Sequence, residues 1–350
     1  MSCCVNTSPE KSPDAIDRRS VVKGIGASAL GLILGGSGFS LAARPARIRL
    51  AFCSQLLCVV PYEFTRSQGF FADEGLDVEL IYTRGGGAAM QALVGGAVEY
   101  AATSLDAALQ AYANGAQVRR FATTGRLPLF ALAVGPRTVG EITGVEELIG
   151  RTVGVSALGN ADHVLMLYLL ERTGIDPDRV SFATLGVNLY DALRVGHVDA
   201  GWVQEPSLTL IREAGGDVLF NAMDIGQATE FLGGAYEFMG VSVRAGELAE
   251  RQVQMVAIAR ALQNGLRAMK QTDPEEIIAG LPRELTAGSD LSQLAGILAE
   301  TVDSLYPDEV RIDLTAAQRV VQSQIVAGLV DPGIDLQTLM ATEVLQDLDG

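Results

Sequence analysis

The side chains best suited to chemistry are few in this chain. Its two histidines, His163 and His197, stand well apart in different contexts, and of its four cysteines Cys3 and Cys4 lie at the extreme N-terminus. A closed zinc site needs about four Cys or His ligands, and a Ser-His-Asp triad needs a histidine between a nucleophile and an acid; there is little material for either. Cys53 and Cys58, spaced C-x4-C, could close a short disulfide in an oxidising compartment or be two buried small hydrophobes; buried thiols are the preferred reading. Gly85, Gly86 and Gly87 follow Arg84 but lack the Gly-Lys-Ser/Thr ending of a phosphate loop, and "GIGASA" (24–29) imitates a dinucleotide-binding pattern without following a strand. No cofactor, metal or enzymatic activity is expected.

The remaining polar candidates fit a binding surface. Ser104 and Asn160 are good helix N-caps or ligand contacts. Glu205, before Pro206, either favours a helix start through the macrodipole or faces a ligand. Arg126, after Gly125, could pair with an anionic group or lie on the surface. Gln55 and Tyr62 sit at a loop and a helix face near strand ends. Trp202, the only tryptophan, is more readily core than a stacking platform.

The elements that must position these residues alternate along the chain. Strands are predicted at 47–52, 78–82, 98–102 and 118–122, with helices at 61–68, 88–94 and 105–114 between them. The alternation resumes with strands at 151–156, 180–183, 198–203 and 217–220 and helices at 161–172, 189–195 and 206–214. Such alternation indicates parallel α/β sheets. A shift of 100 residues superposes Ala92, Leu93, Gly96, Val98, Gly115 and Val118 on Ala192, Leu193, Gly196, Val198, Gly215 and Val218, and pairs Glu99 with Asp199. Two similar α/β lobes follow. Beyond about Met223 amphipathic helices are predicted at 248–269, 291–305 and 315–328, a tail expected to pack back on the first lobe.

The N-terminus carries a different message. Arg18 and Arg19 precede an uncharged run from Gly24 to Ala43 diluted by glycine and serine. The pattern resembles a twin-arginine export signal, with small residues for cleavage near Ala42 or Ala43; an uncleaved anchor is the alternative. Residues 1–42 carry four basic and three acidic side chains, so the remainder holds 22 basic against 39 acidic, a net charge of −17. Such a body repels nucleic acid and anionic lipid. At 48% hydrophobic and 19% charged residues over its full length the chain can bury a sizeable core.

In parallel α/β sheets ligands bind beyond the carboxyl ends of the strands. The loops in question are 53–58, 84–87 with Gly86 and Gly87, and 103–106 in lobe one. In lobe two they are 157–160, the turn from Gly186 to Asn188, and 204–206.

Three stretches carry a resemblance: "SQGFFADEGLDVEL" (67–80), "GGAVEYAATSLDAAL" (95–109) and "VGHVDAGWVQEP" (195–206). They are similar to the periplasmic solute-binding proteins of ABC importers, in the branch of taurine, alkanesulfonate, nitrate and thiamine-precursor receptors, over about residues 47–270. The resemblance implies a type II periplasmic-binding-protein fold: lobe one over 44–133 and 236–350, lobe two over 134–235, and crossover strands near 129–134 and 236–243, after a signal at 1–43. It implies a periplasmic monomer that delivers a small organic solute, anionic by expectation, to a membrane permease and its ATPase after passing the twin-arginine machinery. Carried over by position, the family's Ser/Thr-rich turn falls on Thr103, Ser104 and Asp106, its lobe-two helix start on Gly159, Asn160, Ala161 and Asp162, and its acidic residue before proline on Glu205. Alkanesulfonate receptors place several hydroxyls where Asn160, Ala161 and Asp162 stand, and the extra carboxylate argues against a bare sulfonate. An exported enzyme or cofactor-binding protein, and a non-transport sensor of the same fold, are the alternatives.

Overall fold

The computed structural model describes residues 46–53, 55–346 and 348; the expected export signal lies outside them. The first sheet opens with β1 (Ala46–Cys53), whose carboxyl half is wholly buried. Helices α1 (Leu56–Ser67) and α2 (Phe70–Asp73) return the chain to β2 (Leu76–Thr83), and α3 (Gly86–Val94) leads to β3 (Tyr100–Ser104). Helix α4 (Leu105–Ala113) precedes β4 (Val118–Gly125). The chain then enters a second sheet through β5 (Ala131–Val134), followed by β6 (Thr152–Val155), α5 (Ala161–Arg172), β7 (Ser181–Thr184), α6 (Leu189–Val195), β8 (Ala200–Val203), α7 (Ser207–Glu213) and β9 (Asp217–Asn221). After α8 (Ile225–Leu232) it returns to the first sheet as β10 (Met239–Arg244).

The strand orders are β2-β1-β3-β10-β4 and β7-β6-β8-β5-β9. In each sheet one strand runs against its neighbours: β10 pairs antiparallel with β3 and β4, and β5 pairs antiparallel with β8 and β9. Each antiparallel strand is a crossover segment inserted at the equivalent place in its sheet. All four residues of β5 pair in the second sheet, so the boundary expected at 133/134 moves toward the N-terminus, to before Ala131.

The repeat read from the sequence extends to backbone detail. Gly96 and Gly196 both close a helix at φ 75°, and Gly115 and Gly215 both turn at φ 89°, conformations that other residues adopt only with strain. Glu99 accepts the backbone N–H of Arg49 at 2.7 Å, and Asp199 accepts that of Thr152 at 2.8 Å. The acid before β3 thus holds the backbone of β1, and the acid before β8 holds that of β6.

One helix begins earlier than its proline suggests. Pro61 suits a first helical position, yet α1 starts at Leu56 and carries Pro61 inside it. A proline there leaves the carbonyl of Leu57 without its helical N–H donor. The hydroxyl of fully buried Tyr306 donates to that carbonyl at 2.7 Å. Tyr306→Phe is therefore expected to lose about 1–3 kcal/mol, the cost of an unsatisfied buried acceptor, as a lower urea midpoint at unchanged m-value.

The tail comprises α9 (Leu248–Met269), α10 (Pro274–Ala279), α11 (Arg283–Thr286), α12 (Leu291–Leu305), α13 (Leu314–Val326) and α14 (Leu336–Leu339). Helix α9 packs on α1, α2 and β4, as expected for a tail returning to lobe one. Two others reach further: α13 lies against both α4 and α5, and Ser304 of α12 donates to the carbonyl of Met223 at 2.7 Å. The tail thus reaches both lobes.

Candidate solute-binding cleft

The loops that follow β1 and β8, at the carboxyl ends of parallel strands in the two sheets, meet across a cleft. Gln55, Leu56 and Leu57 from the β1–α1 turn meet Leu129 of the first crossover and Gln204 and Glu205 after β8 around a space of about 10 Å³, roughly the room one water needs. The lobes also touch directly. Gln110 Nε2 of α4 donates to the Gly159 carbonyl at 2.9 Å and to Gln324 Oε1 of α13 at 3.0 Å. This is a shut cleft. Glu205 also borders a second hollow of about 190 Å³, shared by Arg212, Asn221 and Asp224 of lobe two with Glu300 and Ser304 of α12.

Each wall residue is held by local structure. Glu205 is half-buried, and its Oε2 accepts the Thr209 N–H at 3.1 Å and hydroxyl at 2.9 Å, steadying the first turn of α7. Burial pushes its carboxyl above the ordinary value, while the Thr209 bonds act against that shift. Gln204 Nε2 is buried and has no partner among the described residues. A buried amide left so is costly and suits a group that a solute completes. Its position beside Glu205 in the sequence was the one signal that could have marked it.

The structure gathers only some of the expected residues here. Gln55 and Glu205 lie on the wall. Gly159, at φ 80°, gives its N–H to His163 Nδ1 at 3.1 Å and its carbonyl to Gln110; burial lowers the His163 pKa, and the accepting Nδ1 is deprotonated. Asn160 and Asn188 are exposed at the starts of α5 and α6 with no side-chain cap bond, and Ala161 is half-buried beside Asn160. Asn160 Nδ2 donates to Ser156 Oγ at 3.0 Å. Ser104 caps α4, accepting the Ala107 N–H at 3.4 Å.

Several expectations are corrected. Tyr62 is core: fully buried, its hydroxyl pairs with Thr124 Oγ1 at 2.7 Å. Arg126, expected to clamp an anion, directs Nε to the Ser304 carbonyl at 2.8 Å and Nη2 to that of Asp303 at 2.5 Å. It closes the carboxyl end of α12, where unpaired carbonyls and the helix dipole favour a cation. Gly86 makes room for Thr103, since a Cβ there would collide with that hydroxyl; Gly87 has open space around it. Thr103 is itself buried, with Oγ1 unpartnered among the described residues. Asp106 is buried beneath the cleft on Gln324 and Tyr236. The Asp162 carboxylate accepts the Ser156 N–H at 2.5 Å and hydroxyl at 2.8 Å, so it braces the loop rather than facing a solute. Trp202 is buried edge-on to Phe220.

A family model described as NMT1/THI5 like matches residues 59–277, more than half of the chain. This chain belongs to the NMT1/THI5-like family. Solved structures agree on the fold. A protein of Bordetella bronchiseptica RB50 is 22% identical with a TM-score of 0.74, covering 87% of this chain and 97% of its own. The periplasmic aliphatic sulphonate binding protein SsuA of Escherichia coli is 17% identical with a TM-score of 0.66, covering 84% and 92%. The periplasmic nitrate-binding protein NrtA of Synechocystis PCC 6803 is 14% identical with a TM-score of 0.67, covering 87% and 88%. Among curated proteins no sequence match is found. This NMT1/THI5-like chain has the two-lobed type II periplasmic-binding-protein fold, with its cleft between the sheets.

Proposed function

We propose that this NMT1/THI5-like protein is the substrate-binding component of an ABC importer. It captures a small organic solute between its lobes in the periplasm, after twin-arginine export, and presents it to a membrane permease. The observation that carries the reading is the unpartnered Gln204 amide beside Gln55 and Glu205 in a cleft bridged by Gln110 and Gly159. Sulfonate- and nitrate-binding proteins of the same fold support it. Binding shifts the lobes between open and shut forms by differential affinity. The anionic solute expected from the sequence loses its support at Arg126, which is committed to α12. The wall instead offers a carboxylate and two carboxamides. They match a polar solute with a hydrogen-bond donor for Glu205 beside an acceptor for Gln204.

The test is thermal unfolding of the protein, refolded free of co-purified solute, against sulfonates, carboxylates, nitrate, amides and pyrimidines. A specific solute at 100 times its Kd adds about 2.7 kcal/mol of stability. Gln204→Leu is expected to leave the solute-free melting temperature unchanged or higher, because it removes a buried unpaired donor, while weakening the solute by about tenfold or more. No shift across the panel, or a shift that survives both Gln204→Leu and Glu205→Gln, would overturn the assignment.

A further inference from the structure

We infer that Cys53, Cys58 and Met239 form a binding site for a monovalent thiophilic metal ion of the copper(I) class, independent of the solute reading. Three elements converge there: Cys53 ends β1, Cys58 lies in the first turn of α1 and Met239 opens β10. All three residues are buried and both thiols are free. The Cys58 sulfur is central, 3.8 Å from Met239 Sδ, and the buried Cys53 thiol is near enough for the two thiols to influence each other's ionisation. Sulfurs about 2.3 Å from a common ion stand roughly 3.8–4 Å apart in tetrahedral or trigonal arrays. The Cys58–Met239 separation already has that spacing. Met239, with three rotatable bonds, is the ligand able to adjust to the ion.

The donor types select the ion. Thiolates with a thioether favour copper(I) over harder cations. Structural zinc asks for about four nitrogen, sulfur or carboxylate ligands, and among the described residues no three His, Cys, Asp or Glu side chains are grouped to hold a metal. Access is from the cleft side, where exposed Gln55 places Oε1 3.8 Å from the Cys58 sulfur. On binding, two S–H bonds break, two sulfur–metal bonds form, and two protons leave to solvent.

The experiment is an anaerobic titration of the reduced full chain with copper(I) against a chromophoric competing chelator. Protein-bound metal and thiol protection from alkylation are both read. One equivalent withdrawn from the chelator, with both thiols protected, is expected. Cys53→Ser and Cys58→Ser should abolish retention, and the near-isosteric Met239→Leu should weaken it roughly tenfold; the melting temperature of each variant checks folding. Three results overturn the site: no copper retained by folded wild type, retention unchanged in either serine variant, or affinity unchanged in Met239→Leu.

Discussion

Replacing Arg120 with methionine is expected to lower the unfolding free energy by about 3–5 kcal/mol, the usual cost of orphaning one member of a buried ion pair. Arg120 has no exposed surface and Glu237 has 1%. The guanidinium reaches Glu237 Oε1 at 3.3 Å, the Thr103 carbonyl at 3.0 Å and the Phe238 carbonyl at 2.9 Å. It therefore ties β4 to the end of β3 and to the segment leading into β10, where the chain re-enters the first sheet. Burial pushes the Glu237 carboxyl up and the Arg120 guanidinium down, each against the pull of its partner. Desolvation thus outweighs the mutual attraction, and the pair is a device of position more than of net stability. The double variant Arg120→Met with Glu237→Leu should recover much of the loss, because no charge is left buried alone. It should not recover all of it, because two carbonyls still lack their donor. A urea double-mutant cycle reads this directly. Additive losses would mean that the two side chains act separately.

The parts of this fold visible in the sequence are those set by local rules. Helix and strand alternation follows from periodicity. The glycine pairs 96/196 and 115/215 mark turns that need positive φ, and the structure gives each pair one shared angle. Glu99 and Asp199 stand in equivalent register and hold equivalent backbone in the two lobes. Side-chain direction at the cleft was not visible, because distant partners decide it. Arg126 is turned by Ser304, 178 positions away, and Asp106 by Gln324, 218 positions away. Pro61 reads as a helix start because the hydroxyl that satisfies the freed Leu57 carbonyl lies 249 positions beyond Leu57, in Tyr306. Gln204 and Glu205 show the middle case: the loop is legible in the sequence, but which of its side chains lacks a partner depends on the packing around it.

Asp106 gives the second large effect, and it depends on pH. The carboxyl lies in the first turn of α4, 2% exposed, with Oδ1 accepting Gln324 Nε2 at 2.7 Å and the Tyr236 hydroxyl at 3.2 Å. Oδ2 has no partner among the described residues. Burial pushes the carboxyl from 3.8 up to about 6, against the opposing pull of Gln324, Tyr236 and Arg120. The folded chain then holds this proton more tightly than the unfolded chain. Its contribution to stability is fully present below pH 3.8 and is lost as pH rises through about 6. At roughly 1.36 kcal/mol per pKa unit the loss is about 3 kcal/mol. Asp106→Asn keeps an acceptor at Oδ1 and removes the titration. The difference in unfolding free energy between variant and wild type should therefore grow in the variant's favour from pH 4 to pH 6.5 and then level off. A difference that is flat with pH would mean the carboxyl titrates near its ordinary value. Oδ2 is the oxygen left open for the proton, and protonation there leaves the chain of bonds from Oδ1 through Gln324 and Gln110 to the Gly159 carbonyl in place. Solute affinity should accordingly change far less than stability over this range, and an affinity that tracked the stability curve would place the Asp106 proton within the closing movement itself.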